Sequence, residues 1–158
     1  MMSGQTKLAG LGDIPILVDL MAAFYEEAGY PLPREPARRA FATILGDPAL
    51  GRVWLVLEDG DAVGYLVLTL NFSMEYGGLR GFVDDFFVKP EARSKGLGAA
   101  ALREVREACL ESGVRALLVE SGPSDHPARR LYGRAGFEET GRVFLSQALS
   151  VPIHGTDQ

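Results

Sequence analysis

The stretch Phe82–Leu102 reads FVDDFFVKPEARSKGLGAAAL, and its character changes twice. The first seven residues are mostly aromatic or β-branched, which is typical of a strand. Pro90 ends this strand because proline has no amide N–H to donate to a neighbouring strand. The alanine-rich run from Leu97 predicts a helix. Residues 93–98, RSKGLG, therefore connect a strand to a helix.

This connection has the features of an anion-binding site. Gly96 and Gly98 let the backbone come close to a ligand, because neither carries a Cβ. The first amides of a helix have no partner inside it, and the helix dipole makes that end positive. Arg93 and Lys95 add two cations. The spacing fits neither a Walker loop nor the dinucleotide fingerprint, but the residues still predict a phosphate-binding loop.

Size and composition limit the other possibilities. A chain of 158 residues suits one domain, and we expect a single domain over 1–158. The formal charge of −5 argues against general binding to nucleic acid. No apolar run approaches the roughly 18 residues of a membrane span, and the N-terminus lacks the apolar core of a signal peptide. A soluble protein without a membrane partner is expected.

The lone cysteine and the two histidines bear on location and on metal binding. Cys109 cannot form an internal disulfide, which favours the cytoplasm, and its helical spacing with Leu102 and Val105 predicts a core thiol. His126 and His154 are too few and too far apart to predict a metal site. We therefore expect no metal.

Hydrophobic periodicity gives an order of elements along the chain. Residues 1–10 are a loose tail or a short first strand. The helices are predicted from Asp13 to Gly29, over Glu35–Leu45, from Leu97 to Gly113 and over Ala128–Ala135. The strands are predicted over Arg52–Leu57, Ala62–Asn71, Leu79–Val88, Arg115–Val119 and Val143–Leu149. Because a helix connects Leu79–Val88 to Arg115–Val119, these two strands should pair in parallel.

A second motif lies in residues 128–137, ARRLYGRAGF. The pattern Ala-x-x-Leu-Tyr-x-x-x-Gly-Phe, following Arg-x-x-Gly-x-Gly in the expected order, resembles the GNAT superfamily of N-acetyltransferases. The resemblance covers roughly Arg52 to Phe137. It implies an α/β (α+β) GNAT fold, with a central mixed, mostly antiparallel sheet of six to seven strands and about four flanking helices. The sheet should splay apart between its fourth and fifth strands.

The resemblance also implies acetyl-CoA as the acyl donor. The arm of the cofactor should pair with the edge of the fourth strand at Phe86, Phe87 and Val88. The residues expected around the diphosphate are Arg93, Ser94, Lys95, Gly96, Leu97, Gly98 and Ala99. Asp125 occupies a position where the family often has a cofactor-binding Asn; an ionised Asp cannot donate, although it can cap a helix.

Transfer of an acetyl group to an amine needs proton transfers and a donor to the oxyanion. The resemblance makes Tyr132 the general acid for the leaving thiolate, whereas its helical spacing with Leu131 and Ala135 also suits packing. The resemblance further implies a strand-four amide, that of Phe87 or Val88, as the oxyanion donor.

Four carboxylates are candidates for the acceptor side. Asp84 and Asp85 lie in an otherwise apolar strand, which is costly unless they face a polar cleft. Regular alternation places Asp84 with Phe82, Phe86 and Val88, and places Asp85 with Val83 and Phe87, unless a bulge intervenes. Either aspartate could bind the amine or take its proton; the alternative is an ion pair or hydrogen bond that fixes a loop. Glu75 and Glu120, near strand ends, are further candidates for substrate contact.

Three functions stay open at this point. The favoured one is an N-acetyltransferase for a small-molecule amine. The alternatives are an acetyltransferase for a protein N-terminus or lysine, and a non-catalytic acyl-CoA-binding regulatory module. A homodimer is possible, with an exposed C-terminal strand near Val143–Leu149 as its contact.

Overall fold

The computed structural model describes residues 4–154, and in this range one five-stranded sheet forms the centre of the chain. Its strands are β1 (Gly4–Leu8), β2 (Gly51–Glu58), β3 (Asp61–Ser73), β4 (Gly78–Val88) and β5 (Ala116–Val119). They lie side by side in sequence order. The first four pair antiparallel, and β5 pairs parallel to β4, as predicted. Residues 1–3 of the predicted tail lie outside the described residues.

Four helices flank the sheet in the described part of the chain, in agreement with the prediction. They are α1 (Ile14–Ala28), α2 (Arg34–Leu45), α3 (Leu97–Glu111) and α4 (His126–Arg134). Asp13 precedes α1 as its N-cap, and Gly29 ends it with a φ of 92°. Glycine adopts this left-handed conformation without a steric penalty, which explains the stop.

The core divides into two main clusters, one on each face of the sheet. The first joins α1 and α2 to β2, β3 and Phe87. The second joins α3 to the opposite face through Trp54, Leu68 and Val83. Cys109 is buried in this second cluster, as its spacing predicted. Each face of the sheet is therefore covered, and the functional groups must lie at its edges and strand ends.

The predicted C-terminal strand, Val143–Leu149, is wrong. Residues 138–154 contain no strand, so the described part of the chain has five strands rather than six or seven. The exposed fraction is 82% for Val143 and 89% for Leu145, so these side chains cover no core. Apolar residues such as Val143 and Phe144 favour a strand only where they find a partner strand and a surface to cover.

Contacts at several points nevertheless hold the C-terminal segment, residues 138–154, to the rest of the chain. Arg142 forms an ion pair with Glu75 at the turn between β3 and β4. Phe144 packs edge-on against Phe82, with ring centroids 5.7 Å apart. His154 stacks on Tyr30, just after α1, at 4.6 Å. Residues 138–154 therefore cross the molecule from α4 to the end of α1.

Within residues 4–154, no helix combines the length and apolar character that a bilayer span requires. No group of three or more histidine, cysteine or carboxylate side chains there is placed to hold a metal ion.

Candidate active site

A β-bulge in β4 sets the directions of the two aspartates. Val67 of β3 pairs with Asp85, whereas the next residue, Leu68, pairs with Val83, so Asp84 is the extra residue. Val83 consequently faces the α3 cluster, while Phe87 faces the α1 cluster. The regular alternation that placed Asp85 with both Val83 and Phe87 is wrong, because the bulge reverses the pattern at Asp84.

Asp85 is partly buried on the α1 side of β4. The hydroxyl of Tyr65 donates a hydrogen bond of 3.0 Å to its Oδ2. Burial raises the pKa of Asp85 to about 6; the hydrogen bond from Tyr65 opposes this shift, and the charge of Asp84 adds to it. A carboxyl with such a pKa is ionised at neutral pH but accepts a proton readily, which suits a general base.

Asp84 is exposed, and partial desolvation raises the pKa of its carboxyl. Tyr25 of α1 lies near both aspartates: burial raises the pKa of its phenol first, and the charges of Asp85 and Asp84 raise it further. The two carboxylates thus face one region beside α1. Sequence analysis missed Tyr25 and Tyr65, because neither belongs to a motif and each reaches the aspartates from another element.

The edge of β4 beside these aspartates is free. Within residues 4–154, β5 pairs with β4 only from Arg80 to Val83, and β4 continues for five more residues. The N–H of Lys89 donates to the carbonyl of Val63 in β3. Because successive residues of a strand point their N–H and C=O groups to opposite edges, Phe87 also bonds toward β3. The groups that face the free edge are those of Phe86 and Val88.

The loop after β4 presents a row of amides. In the described part of the chain, no atom accepts a hydrogen bond from the backbone amides of residues 94–99. The first backbone amide of α3 that has an acceptor is that of Ala100, which donates to the carbonyl of Gly96 at 3.0 Å. Ser94 and Gly96 have positive φ values of 63° and 83°. Such alternation turns successive amides inward to form an anion-binding nest.

This loop packs directly against the free edge and α4. A Cβ on Gly98 would lie 3.4 Å from Leu131 of α4 and 3.5 Å from the ring of Phe86. The structure therefore brings the predicted phosphate loop, the strand edge and the second motif together in one place. The residues present fit a coenzyme A diphosphate and its extended arm.

Tyr132 lies on α4, with its ring partly buried. The ring packs edge-on against Phe137 at 5.7 Å, which agrees with the packing role left open above. Burial raises the pKa of its phenol, and the charge of Asp125 raises it further, so the hydroxyl keeps its proton at neutral pH. Asp125 itself caps α4, accepting a hydrogen bond of 3.2 Å from the amide of Ala128.

The two glutamates are placed differently. Glu120 follows Val119, which pairs with Val83, so Glu120 is level with the aspartates at the end of β5. Glu75 lies beyond the other end of β4, about 20 Å away at the usual rise per strand residue, and its carboxylate pairs with Arg142 at 3.1 Å. The structure does not bring Glu75 to the aspartates.

An open cleft lies on the helical side of the molecule, and its lining includes none of the site residues described above. It has a volume of about 450 Å³ and opens where α1 turns toward α2. Its lining residues are Ala22, Glu26, Gly29, Tyr30, Pro31 and Leu32. His154 stacks on Tyr30 and lies 5.9 Å from the ring of Tyr25. The early helices and the C-terminal segment thus meet on this side.

Comparison with known proteins agrees with this geometry. An integron cassette protein from the mobile metagenome of the Cole Harbour salt marsh is 60% identical, with a TM-score of 0.88 over 95% of this chain and 93% of that chain. The uncharacterized N-acetyltransferase YhfO of Bacillus subtilis is 32% identical over 60% of this chain and 63% of its own length. Aminoglycoside N(6')-acetyltransferase type 1 of Stenotrophomonas maltophilia is also 32% identical, over 60% of this chain and 65% of its own length.

The match spans less than two thirds of the length of these two curated relatives. The model of the acetyltransferase (GNAT) family, in contrast, matches residues 16–137, more than three quarters of this chain. That range contains the free edge of β4, the amide row and α4. The chain belongs to the GNAT family of acetyltransferases.

Proposed function

We propose that residues 1–158 act as a single, cytoplasmic N-acetyltransferase domain that moves an acetyl group from acetyl-CoA to a primary amine of a small molecule. One observation carries the proposal: the free edge of β4 has an unpaired row of amides at its end and an acidic pair on its α1 side. Donor and acceptor could therefore meet at the same five residues of β4.

On the donor side, acetyl-CoA supplies an activated thioester. The backbone groups of Phe86 and Val88 would pair with the amides of its arm, and the amides of residues 94–99 would hold its diphosphate. The positive end of α3 favours the same anion. No metal is required for this binding mode, since backbone N–H groups and the helix dipole supply the positive potential.

On the acceptor side, Asp85 would take a proton from the amine. An alkylamine with a pKa of ~10.4 must lose its proton before it attacks, which costs roughly 4.6 kcal/mol at pH 7. A carboxylate that is partly buried and held by Tyr65 is placed to accept that proton. The exposed Asp84 would attract the ammonium form, and Glu120 lies level with it.

Two further groups would act on the acyl carbon and the leaving sulfur. The free-edge amide of Phe86 or Val88 would donate to the developing oxyanion; the Phe87 amide, which bonds toward β3, would not. The hydroxyl of Tyr132, which keeps its proton at neutral pH, would protonate the departing thiolate. Direct attack of the amine then needs no covalent intermediate on the protein.

The nature of the acceptor follows from charge. The site carries at least two carboxylates, and the chain has a formal charge of −5. A cationic small molecule suits such a surface, and one relative is an aminoglycoside acetyltransferase by name. Release of free coenzyme A should be measured with aminoglycosides, polyamines and peptides. Turnover with peptides alone would exclude the small-molecule proposal; tight cofactor binding without turnover would favour a binding module.

A homodimer belongs to the same proposal. The C-terminal segment exposes apolar side chains, including Val143, Leu145 and Leu149, and a second copy could cover them. Light scattering should then give twice the mass of the 17.1 kDa chain. The Leu145→Asp variant should have the mass of a single chain. A monomer at high micromolar concentration would exclude the dimer.

A further inference from the structure

The side chain of Arg93 joins three elements at the start of the amide row. Its Nε donates to the carbonyl of Val88 at 2.8 Å. Its Nη1 and Nη2 donate to the two carboxylate oxygens of Glu27, at 2.9 and 2.7 Å. The guanidinium also lies 5.7 Å from the ring centroid of Phe87. Glu27 is in the last turn of α1, so one side chain ties that helix to β4 and the loop.

The contact with Val88 lies on the free edge. Val88 points its backbone groups away from β3. The guanidinium of Arg93 therefore bonds the carbonyl oxygen of Val88 on the free edge and leaves the N–H of Val88 available. The backbone amide of Arg93 is also engaged, donating to the carbonyl of Pro90 at 3.2 Å. Neither the guanidinium nor the backbone amide of Arg93 is therefore directed into the nest formed by residues 94–99.

Lys95 is held quite differently. Among residues 4–154, its ammonium makes a single polar contact, of 2.9 Å with Glu58 at the end of β2, and its side chain is half exposed. A lysine on a flexible stem with one surface partner can turn toward a phosphate at little cost. A bidentate guanidinium that also bonds a backbone carbonyl loses three hydrogen bonds if it turns.

We propose that Arg93 and Glu27 are positioning residues: their pair fixes the last turn of α1 and the start of the loop against Val88, so that the free edge and the amide row are preformed for the cofactor. Arg93 then serves through the geometry it imposes rather than as a phosphate ligand, and Lys95 is the mobile cation. The inference rests on the proposed binding of coenzyme A at this site.

The two possible roles of Arg93 predict opposite changes in the affinity for coenzyme A when Glu27 is replaced by Gln. Glu27→Gln removes a negative charge near the diphosphate and frees the guanidinium. If Arg93 were a phosphate ligand, the variant would bind coenzyme A more tightly, because a competing carboxylate is gone. If the pair positions the loop, binding weakens despite the more favourable charge.

The experiment is calorimetric titration of the full chain with coenzyme A. We expect Glu27→Gln and Arg93→Lys each to weaken binding about fivefold, the scale of a well-formed bidentate surface pair, and the double variant to be no worse than either. Lysine keeps the positive charge but cannot form the bidentate pair of hydrogen bonds that arginine forms with a carboxylate. The matched control, Glu58→Gln, frees Lys95 and should leave binding equal or tighter. In turnover, KM for acetyl-CoA should rise while kcat holds.

Equal or tighter binding by Glu27→Gln would overturn the positioning role while leaving the proposed function intact. Additive losses in the double variant would also overturn it, since the two residues would then act separately. Failure of the unmodified chain to bind coenzyme A would remove both proposals. Thermal midpoints, compared alongside, should move by no more than a few degrees, because both side chains are more than 40% exposed.

Discussion

The hydroxyl of Tyr65 donates to Oδ2 of Asp85 across the β3–β4 pair, at 3.0 Å. Tyr65 itself pairs with Phe87, and Asp85 pairs with Val67, so the two side chains are diagonal neighbours on the α1 face of the sheet. Tyr65 is fully buried, and its pKa is raised by burial and then by the charge of Asp85. It therefore remains a donor at every pH relevant to the enzyme, and it stabilises the ionised form of Asp85.

The pH profile of activity should report this pair. With Asp85 as base, kcat/KM should fall on the acidic side with an apparent pKa of about 6. Tyr65→Phe removes a hydrogen bond that lowers the pKa, so the acidic limb should move to higher pH. The exposed Tyr76 provides the control, because Tyr76→Phe should leave that limb in place. An unshifted limb in Tyr65→Phe would exclude Asp85 as the titrating group.

Asp85 should also reduce stability at neutral pH. Its pKa is raised from 3.8 to about 6, so the folded state holds this proton more tightly than the unfolded state does. The contribution of Asp85 to stability is therefore greatest below pH 4 and decreases as pH rises to about 6. Asp85→Asn keeps an acceptor for Tyr65 and removes the charge. It should raise the free energy of unfolding at pH 8 by about 1–3 kcal/mol, measured by urea titration.

The same titration at pH 4 is the control for that substitution. There the aspartate is largely protonated, and the gain from Asp85→Asn should nearly vanish. Activity should drop at pH 8, where Asp85 of the parent is ionised, which would make Asp85 a residue that improves catalysis at the expense of stability. A variant less stable than the parent at pH 8 would show that the charge itself is well compensated.

Tyr132→Phe should separate the two roles of that residue. Phenylalanine keeps the ring that packs on Phe137 but removes the proton donor. We expect kcat to fall about a hundredfold, the lower range for general acid catalysis, with little change in the thermal midpoint or in the affinity for coenzyme A. A kcat within twofold of the parent value would leave Tyr132 as a packing residue.

Gly96 should be required for cofactor binding and not only for folding. Its φ of 83° strains any residue with a Cβ, and Gly113, at the other end of α3, has a φ of 81°. No atom lies within 4 Å of a Cβ built on either glycine. Gly96→Ala and Gly113→Ala should therefore cost similar stability, about 1–2 kcal/mol.

Only Gly96→Ala should weaken binding of coenzyme A, by tenfold or more, because it distorts the amide row. Calorimetry on both variants makes the comparison. Equal affinities would mean that residues 94–99 do not hold the diphosphate.

Local sequence patterns predicted most of the fold. The helix start at Asp13, its stop at Gly29 and the parallel strand near Val119 were all predicted from short-range signals. Such signals suffice because caps, breakers and periodicity act within a few residues. The two motifs and their order also predicted which elements meet at the free edge.

Non-local pairing accounts for what sequence reasoning missed. The bulge at Asp84 depends on the register between β3 and β4, which no single strand reveals. Val143–Leu149 has the composition of a strand but has no partner strand in the described part of the chain. Tyr65 and Glu27 approach the site from other elements, at sequence separations of 20 and 66 from their partners Asp85 and Arg93. Composition gives no indication of such contacts.

The extra residue at Asp84 divides β4 into two halves whose alternation between the faces of the sheet is shifted by one residue. Before Asp84, Val83 belongs to the α3 core. From Asp85 onward, each side chain of β4 lies on the opposite face of the sheet from the face predicted by regular alternation. Deleting Asp84 would remove the bulge and leave Asp85 opposite Val67, on the α1 face that it already occupies. The bulge thus adds a second carboxylate beside Asp85 without moving Val83 or Phe87 to the other face of the sheet.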